Sequence, residues 1–324
     1  MPLLTTSLPS AIAAYVLAMA YPVPMGQSVE LGSLTKPDSE IVATEKDRAQ
    51  RMTVPVSIEG RGPFSFVIDT GAERTILSRK LAKNLALSAE EPAQLMSIAG
   101  SSIVDMVYVP ELTLGKTSYG SLVAPVLLAH HIGADGMLGL DSLQNQRILF
   151  DFTANQITIE NAKEPLKMAS RREIVVTARR RSGQLIFTEA TISGLKVNVI
   201  VDTGAQISIA NPVLQKRLIQ RSKELGEENS LIAVTGETLG VKFGVARDFR
   251  IGRAQFTTLP LAFADAPPFE RFGMAKKPAL LLGMDILRKF DQVAIDFKNR
   301  KIHFLLPRDA RHVYEHSGKS RIGS

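Results

Sequence analysis

The 324-residue chain contains no cysteine and only five histidines. Without cysteine, the protein has no disulfides, no thiolate metal sites and no cysteine nucleophile. None of the histidines shows metal-ligand spacing such as HExxH, so we predict neither a metal nor a cofactor. The five are His130, His131, His303, His312 and His316.

Acidic residues are fewer than basic ones, which leaves a formal net charge of +7. Much of the excess lies in Arg171–Arg181 and in a basic C-terminal tail, residues 308–324. Neither stretch is interleaved with aromatic residues, so we predict no nucleic-acid partner. We interpret both as solvated surface and a frayed end. Attraction to an anionic membrane surface or to acidic substrates is the alternative.

The N-terminus, residues 1–25, is apolar and rich in small side chains, and we predict a signal peptide or anchor there. The run Ala11–Ala20 has the length of a signal-peptide core, and Ala18-Met19-Ala20 offers a cleavage site. It is too short to span a bilayer as a helix. No Lys or Arg precedes it, which argues against a signal peptide. On balance the pattern favours export, to the periplasm or outside the cell, with at most peripheral membrane association.

One phrase occurs twice: "FVIDTGAERTILS" at residues 66–78 and "VIVDTGAQISIAN" at residues 199–211. Later landmarks follow each copy in the same order, "GMLGLDSL" matching "ALLLGMDIL" and "FDFTANQITI" matching "IDFKNRKIHF". An internal repeat of this kind predicts two homologous units. The predicted parts are a lead segment (26–46), a first lobe (47–162), a linker (163–172) and a second lobe (173–307).

Short alternating or β-branched segments separated by Gly or Pro dominate both units and predict an all-β fold. Helices are expected at Ser78–Leu85 and at Asn211–Ile219, directly after each repeated phrase. A further short helix should follow each "LG(L/M)D", with Asp141 and Asp285 as N-caps. The stretch "ADAPPFERFGMAKKP" is predicted to be a Pro-rich loop.

Asp69 follows three apolar residues, so a buried strand delivers its carboxylate, and Gly71 then permits a tight turn. A buried carboxylate is costly unless it is satisfied, and its counterpart Asp202 can meet one side of it. Two carboxylates about 3 Å apart share one proton. Such a pair can take a proton from a water and donate one to a carbonyl, which is the chemistry of amide hydrolysis.

The doubled pattern resembles the retropepsin-like aspartic peptidases. Asp-Thr-Gly-Ala-x-x-Ser/Thr occurs at Asp69 to Thr75 and at Asp202 to Ser208, and a later hydrophobic-hydrophobic-Gly element ends at Gly139 and Gly283. The resemblance implies a bilobal fold of two β-barrel-like lobes. Retropepsins usually have one lobe per chain and dimerise, whereas two lobes here imply a monomer with a complete site.

The resemblance also implies roles for individual residues. Asp69 and Asp202 are implied as the catalytic dyad, and Thr70 and Thr203 as a pair that hydrogen-bonds across the lobe junction. Glycine-tipped hairpins are expected to close as flaps over a peptide or protein substrate, although an ordinary hairpin turn is an equally good interpretation. The remaining implied residues are Gly71, Ala72, Gly204 and Ala205 in the active-site loops, and Ile98, Ala99, Gly100, Val234, Thr235 and Gly236 in the flaps.

The leading hypothesis is therefore an aspartic endopeptidase. The alternatives are a peptide-binding or partner-binding module that does not cut, and an autoprocessing regulator whose substrate is its own N-terminus or one cellular protein. Ala72 and Ala205 lack the hydroxyl that could bond the carboxylates, so we expect activity at milder acidity than in pepsins.

Overall fold

The computed structural model describes residues 52–143, 145–162, 166, 171–181, 183–219 and 228–308, together with the backbone of 14–15, 40–43 and 45–46. The predicted signal peptide and the basic tail therefore lie almost entirely outside the described residues, as does most of the linker. Within the described part of the chain, no helix is long and apolar enough to cross a membrane.

The elements are mostly strands. The strands are β1 (Ala14–Tyr15), β2 (Glu40–Ala43), β3 (Glu45–Lys46), β4 (Met52–Ile58), β5 (Arg61–Ile68), β6 (Ile76–Ser78), β7 (Ala89–Met96), β8 (Ser101–Leu114), β9 (Thr117–Leu127), β10 (Gly136–Leu138), β11 (Gln146–Asp151), β12 (Gln156–Asn161), β13 (Glu173–Thr177), β14 (Arg179–Arg181), β15 (Gln184–Ile192), β16 (Leu195–Val201), β17 (Ile209–Ala210), β18 (Glu228–Ala233), β19 (Thr238–Ile251), β20 (Ala254–Phe263), β21 (Ala279–Leu282), β22 (Gln292–Asp296) and β23 (Lys301–Leu305). The helices are α1 (Arg79–Leu85), α2 (Ala129–Ile132), α3 (Leu140–Leu143), α4 (Pro212–Ile219), α5 (Pro267–Arg271) and α6 (Met284–Leu287).

Each repeat unit forms its own curved sheet. The first sheet has the order β3-β4-β5-β10-β6-β9-β8-β7, and an additional β4–β8 pairing curls it. The second has the order β1-β18-β19-β20-β17-β21-β16-β15-β14, and a β15–β19 pairing closes it into a barrel. The all-β, bilobal fold class predicted from the repeat is confirmed.

A third sheet joins the two lobes. Its order is β13-β23-β22-β11-β12-β2, and the antiparallel β11–β22 pair brings a first-lobe strand against a second-lobe strand. Strand β2 lies in the predicted lead segment and pairs with β12 of the first lobe. Arg147 and Asp296 face each other across β11 and β22 as a buried ion pair, with 2.9 Å between Nη2 and Oδ2.

In each lobe, one strand passes between the two arms of the loop that carries the repeated Asp-Thr-Gly sequence. Strand β10 pairs in parallel with β5 and antiparallel with β6, so it runs between the two arms of the first Asp-Thr-Gly loop. Strand β21 does the same between β16 and β17. A Cβ at Gly136 would lie 2.2 Å from the Phe66 ring, so only glycine permits this close packing. Both Asp-Thr-Gly loops are thereby held on a buried strand.

The helices agree with the sequence in part. Helix α1 begins after Ser78, whose hydroxyl accepts from the Leu81 N–H, and α4 begins after Asn211, whose side chain caps the Leu214 N–H. Helices α3 and α6 are present, but the N-cap prediction is wrong, because Asp141 and Asp285 lie inside the first turn. Helix α5 occupies part of the stretch predicted to be a loop, since proline suits the first turn of a helix.

Candidate active site

The two repeated aspartates meet at the junction of the lobes. Asp69 follows β5 and Asp202 follows β16, and both side chains are 0% exposed. A Cβ at Gly71 would lie 2.7 Å from the Asp202 carboxyl carbon, and one at Gly204 would lie 2.3 Å from that of Asp69. Each loop therefore needs its glycine because the carboxylate of the other lobe occupies the space of a side chain.

Each carboxylate is held by its own loop on one side only. Asp69 Oδ1 accepts from the backbone N–H of Gly71 (2.6 Å) and of Ala72 (3.1 Å). Asp202 Oδ1 accepts from Gly204 and Ala205, both at 3.0 Å. The second oxygen of each, Oδ2, is buried and accepts no hydrogen bond from the loops, and its neighbour is the carboxyl group of the other aspartate. Only a proton held between the two carboxyls, or a donor that reaches both of them, can therefore satisfy these two oxygens.

Burial shifts both groups toward the protonated state. Desolvation raises the pKa of Asp69 well above its usual value, and the neighbouring charge of Asp202 raises it further. Desolvation also raises the pKa of Asp202, although the N–H groups of Ala205 and Gly204 oppose this. Because ionising both would place two charges together in a dry site, the pair retains one proton and titrates as a unit.

The threonines of the repeated phrase tie the loops together reciprocally. Thr70 N–H donates to Thr203 Oγ1, and Thr203 N–H donates to Thr70 Oγ1, both at 3.1 Å. Each hydroxyl then donates to the strand of the other lobe, from Thr70 to the Val201 carbonyl and from Thr203 to the Ile68 carbonyl, both at 2.8 Å. Four buried hydrogen bonds thus fix the relative position of the aspartates.

The acidic residues of α3 and α6 support the far end of each loop. Asp141 accepts from the Thr75 N–H (2.9 Å) and hydroxyl (2.7 Å), and Asp285 accepts from the Ser208 N–H (3.1 Å) and hydroxyl (2.6 Å). These two acidic residues therefore brace the Asp-Thr-Gly loops. In the sequence, only the repeat of an Asp shortly after Leu-Gly pointed to this role.

The predicted flaps are hairpins whose tips cross to the opposite lobe. Ile98, between β7 and β8, is fully buried in a cluster otherwise built from second-lobe residues. Val234, between β18 and β19, is fully buried in a cluster otherwise built from first-lobe residues. Gly100 (φ +146°) and Gly236 (φ +91°) adopt the positive φ that a tight tip requires. Ala99 and Thr235 lie beside them, and contact of these tips with a peptide stays a prediction.

The structure adds residues that the motif analysis missed. Glu237, at the second tip, accepts from the Ser102 hydroxyl and from Ser97 Oγ at 3.4 Å, which links the two flaps. His131 packs against Gly236, and burial lowers the pKa of this histidine. The signal for Glu237 was weak: an acidic residue follows the tip glycine in the second copy only.

A comparison with models of known protein families finds two matching regions, one in each repeat unit. The model of a family described as aspartyl protease matches residues 54–142 and 188–286, and these segments contain Asp69 and Asp202. The two matches cover more than half of the chain. The chain belongs to the aspartyl protease family. No curated protein matches this aspartyl protease.

Proposed function

We propose that this aspartyl protease is an endopeptidase that hydrolyses peptide bonds with a water activated by Asp69 and Asp202. One observation carries the proposal: two fully buried carboxylates face each other across the lobe junction, and the Oδ2 atom of each accepts no hydrogen bond from its own loop. A water between them would supply donors to both oxygens, and a group placed at this point reaches both aspartates.

The shared proton determines the roles of the pair. The ionised carboxylate takes a proton from the water, and the resulting hydroxide oxygen attacks the peptide carbonyl carbon. The protonated carboxyl donates its proton to the carbonyl oxygen, which gives a neutral tetrahedral intermediate. The proton taken from the water then passes to the leaving nitrogen as the C–N bond breaks, while the carboxylate that had given up its proton takes one from a hydroxyl of the intermediate. The intermediate thereby becomes the product carboxyl group, and the pair returns to its starting state with one shared proton. No covalent bond to the protein forms.

The surrounding residues hold the two aspartates in a fixed arrangement and shield them from bulk water. The reciprocal bonds of Thr70 and Thr203 hold the dyad in one arrangement, which reduces reorganisation during the reaction. The crossed tips, with Ile98 and Val234 buried, close the site from bulk water, so substrate entry requires the flaps to open. An extended peptide fits beneath them as an added strand that pairs through its backbone.

A peptide-library assay tests the proposal. The full chain, Asp69→Asn, Asp202→Asn and a matched surface control, Asp265→Asn, are incubated with a mixed library between about pH 4 and 7, where a shared-proton pair operates. Cleavage by wild type and Asp265→Asn, blocked by a statine-type inhibitor and absent in the other two variants, is expected. Equal cleavage by Asp69→Asn and wild type would overturn the proposal. Inhibitor binding without cleavage would favour a module that only binds peptides.

We further propose that the protease acts as an exported monomer. Both halves of the dyad come from one chain, so a second copy is not needed to complete the site, and the apolar N-terminus supports export. Sedimentation of the active fraction at the mass of one chain, and recovery of the activity outside the cytoplasm of the cells that make it, are the expected results. Activity that sediments only as a dimer would contradict the first part.

A further inference from the structure

Gln184 makes an unusual contact between the lobes. It begins β15 of the second lobe, and its side chain is 0% exposed. Its amide Nε2 donates to the backbone carbonyl of Gly71, in the first active-site loop, at 2.8 Å. Because a carbonyl accepts only from a donor, this contact fixes which end of the amide faces Gly71.

The other end of this amide is buried and unsatisfied. Gln184 Oε1 has no hydrogen-bond partner within the described part of the chain. Buried polar atoms are nearly always paired, so such an atom calls for an explanation. A carboxamide oxygen accepts up to two hydrogen bonds, which means that the missing group is a donor.

Gly71 connects this amide to the dyad. Its N–H donates to Asp69 Oδ1, its Cα packs against the Asp202 carboxylate, and its carbonyl accepts from Gln184. Gln184 therefore contacts the loop that also positions both aspartates, and its Oε1 is an oxygen that the shared proton of the dyad does not satisfy. A ligand that satisfies Gln184 Oε1 must bring a donor of its own.

We propose that Gln184 is a substrate-positioning residue, whose Nε2 holds the Gly71 carbonyl while its Oε1 accepts a backbone N–H of the peptide beside the scissile bond. The proposal deepens the endopeptidase function and rests on it. The attacking water satisfies the dyad, and the peptide backbone supplies the remaining donor, because an extended chain presents an N–H every second residue to each side. The bond would set the register of the peptide over the dyad.

A backbone ester scan tests this contact. In a peptide that wild type cleaves, each amide flanking the scissile bond is replaced in turn by an ester, which removes one N–H and changes little else. Kinetic constants are measured for the full-length wild type, for Gln184→Met and for the matched control Gln146→Met. Methionine keeps the length of glutamine without either polar atom. Gln146 donates to the Tyr119 hydroxyl at 2.9 Å on the sheet between the lobes.

One ester position is expected to raise KM about fivefold or more in wild type and in Gln146→Met, the effect of losing one hydrogen bond. In Gln184→Met the all-amide peptide should already show the raised KM, and that same ester should add nothing. A purely structural role would instead leave every ester effect unchanged.

Ester effects in Gln184→Met equal to those in wild type at every position would overturn the proposal. If Gln184→Met does not fold, the ester scan of the wild type alone still tests the proposal. The absence of any ester-sensitive position in that scan would overturn the role of Gln184 as well. Both of these results overturn only the role of Gln184. If wild type still cleaves peptides normally, the proposed endopeptidase function is unaffected. Wild type that neither cleaves nor binds any peptide would remove the proposed function and this inference together.

Discussion

Replacing Thr203 by valine isolates the contribution of the threonine pair to both stability and catalysis. Valine has nearly the same shape, so the change creates no cavity and removes only the hydroxyl. Two hydrogen bonds disappear: the one that Thr203 accepts from the Thr70 N–H (3.1 Å) and the one that it donates to the Ile68 carbonyl (2.8 Å). Both partners are buried, so water does not replace the lost contacts.

The expected cost follows from those two orphaned groups. A buried donor or acceptor left without a partner costs about 1–3 kcal/mol, so the variant should lose about 2–6 kcal/mol of unfolding free energy. That is a large share of the roughly 5–15 kcal/mol that stabilises most domains. Catalysis should fall as well, because the same bonds hold Asp69 and Asp202 in register.

Urea unfolding and steady-state kinetics on one preparation measure both effects. Thr113→Val is the matched control, since its hydroxyl bonds to Ser118 Oγ at the surface and its loss should cost below about 1 kcal/mol. The reciprocal variant Thr70→Val breaks the two other bonds and should resemble Thr203→Val. A Thr203→Val protein as stable as Thr113→Val, with unchanged kcat, would refute the reasoning that these bonds fix the dyad.

Three further predictions concern charge and closure. Since burial raises the pKa of Asp69, the folded protein keeps a proton that the unfolded chain releases above about pH 4. Unfolding free energy should therefore fall as pH rises through the raised pKa, and Asp69→Asn should flatten this dependence in urea titrations from about pH 3 to 8. Glu237→Ala removes the acceptor that links the flaps and should speed amide exchange at residues 97–103 several-fold, measured by mass spectrometry, with no change in β22 as the internal control. Arg147→Met leaves Asp296 buried without its 2.9 Å partner and should cost about 3–5 kcal/mol in chemical unfolding, whereas adding Asp296→Leu should recover most of the loss.

The features that could be predicted from the sequence are those determined by residues close together in the chain. Apolar residues ending in Asp-Thr-Gly indicated a strand that delivers a carboxylate to a tight turn, and the repeat indicated two such strands. Ser78 and Asn211 marked the starts of α1 and α4 because a cap acts on its own first turn. The all-β class followed from alternation, which depends on residues close in the chain.

The parts that could not be predicted depend on contacts between distant segments. Nothing local to Ile98 or Val234 indicates burial in the opposite lobe, because each is one large apolar residue beside an alanine in a turn. Gln184 begins an ordinary strand, and only the meeting of the lobes brings its amide to Gly71. The bracing role of Asp141 was mistaken for an N-cap for the same reason, since its partner Thr75 lies on a different arm of the loop.

Fusion of two lobes in one chain allows the halves of the site to differ while the two loops keep the same bonds to their aspartates. In both loops the Gly and Ala N–H groups donate to Oδ1 of the aspartate. Just beyond the dyad the symmetry ends: Glu73 forms a partly buried ion pair with Arg271 at 3.6 Å, and the second copy carries the neutral Gln206 at the same place. Under the proposed function, we expect a peptide lying across the dyad to meet a charged pair on one side and an uncharged amide on the other. Such a site can distinguish the two directions in which a peptide chain could lie across the dyad. A dimer of identical lobes cannot acquire this property by mutation, because each substitution would appear on both sides.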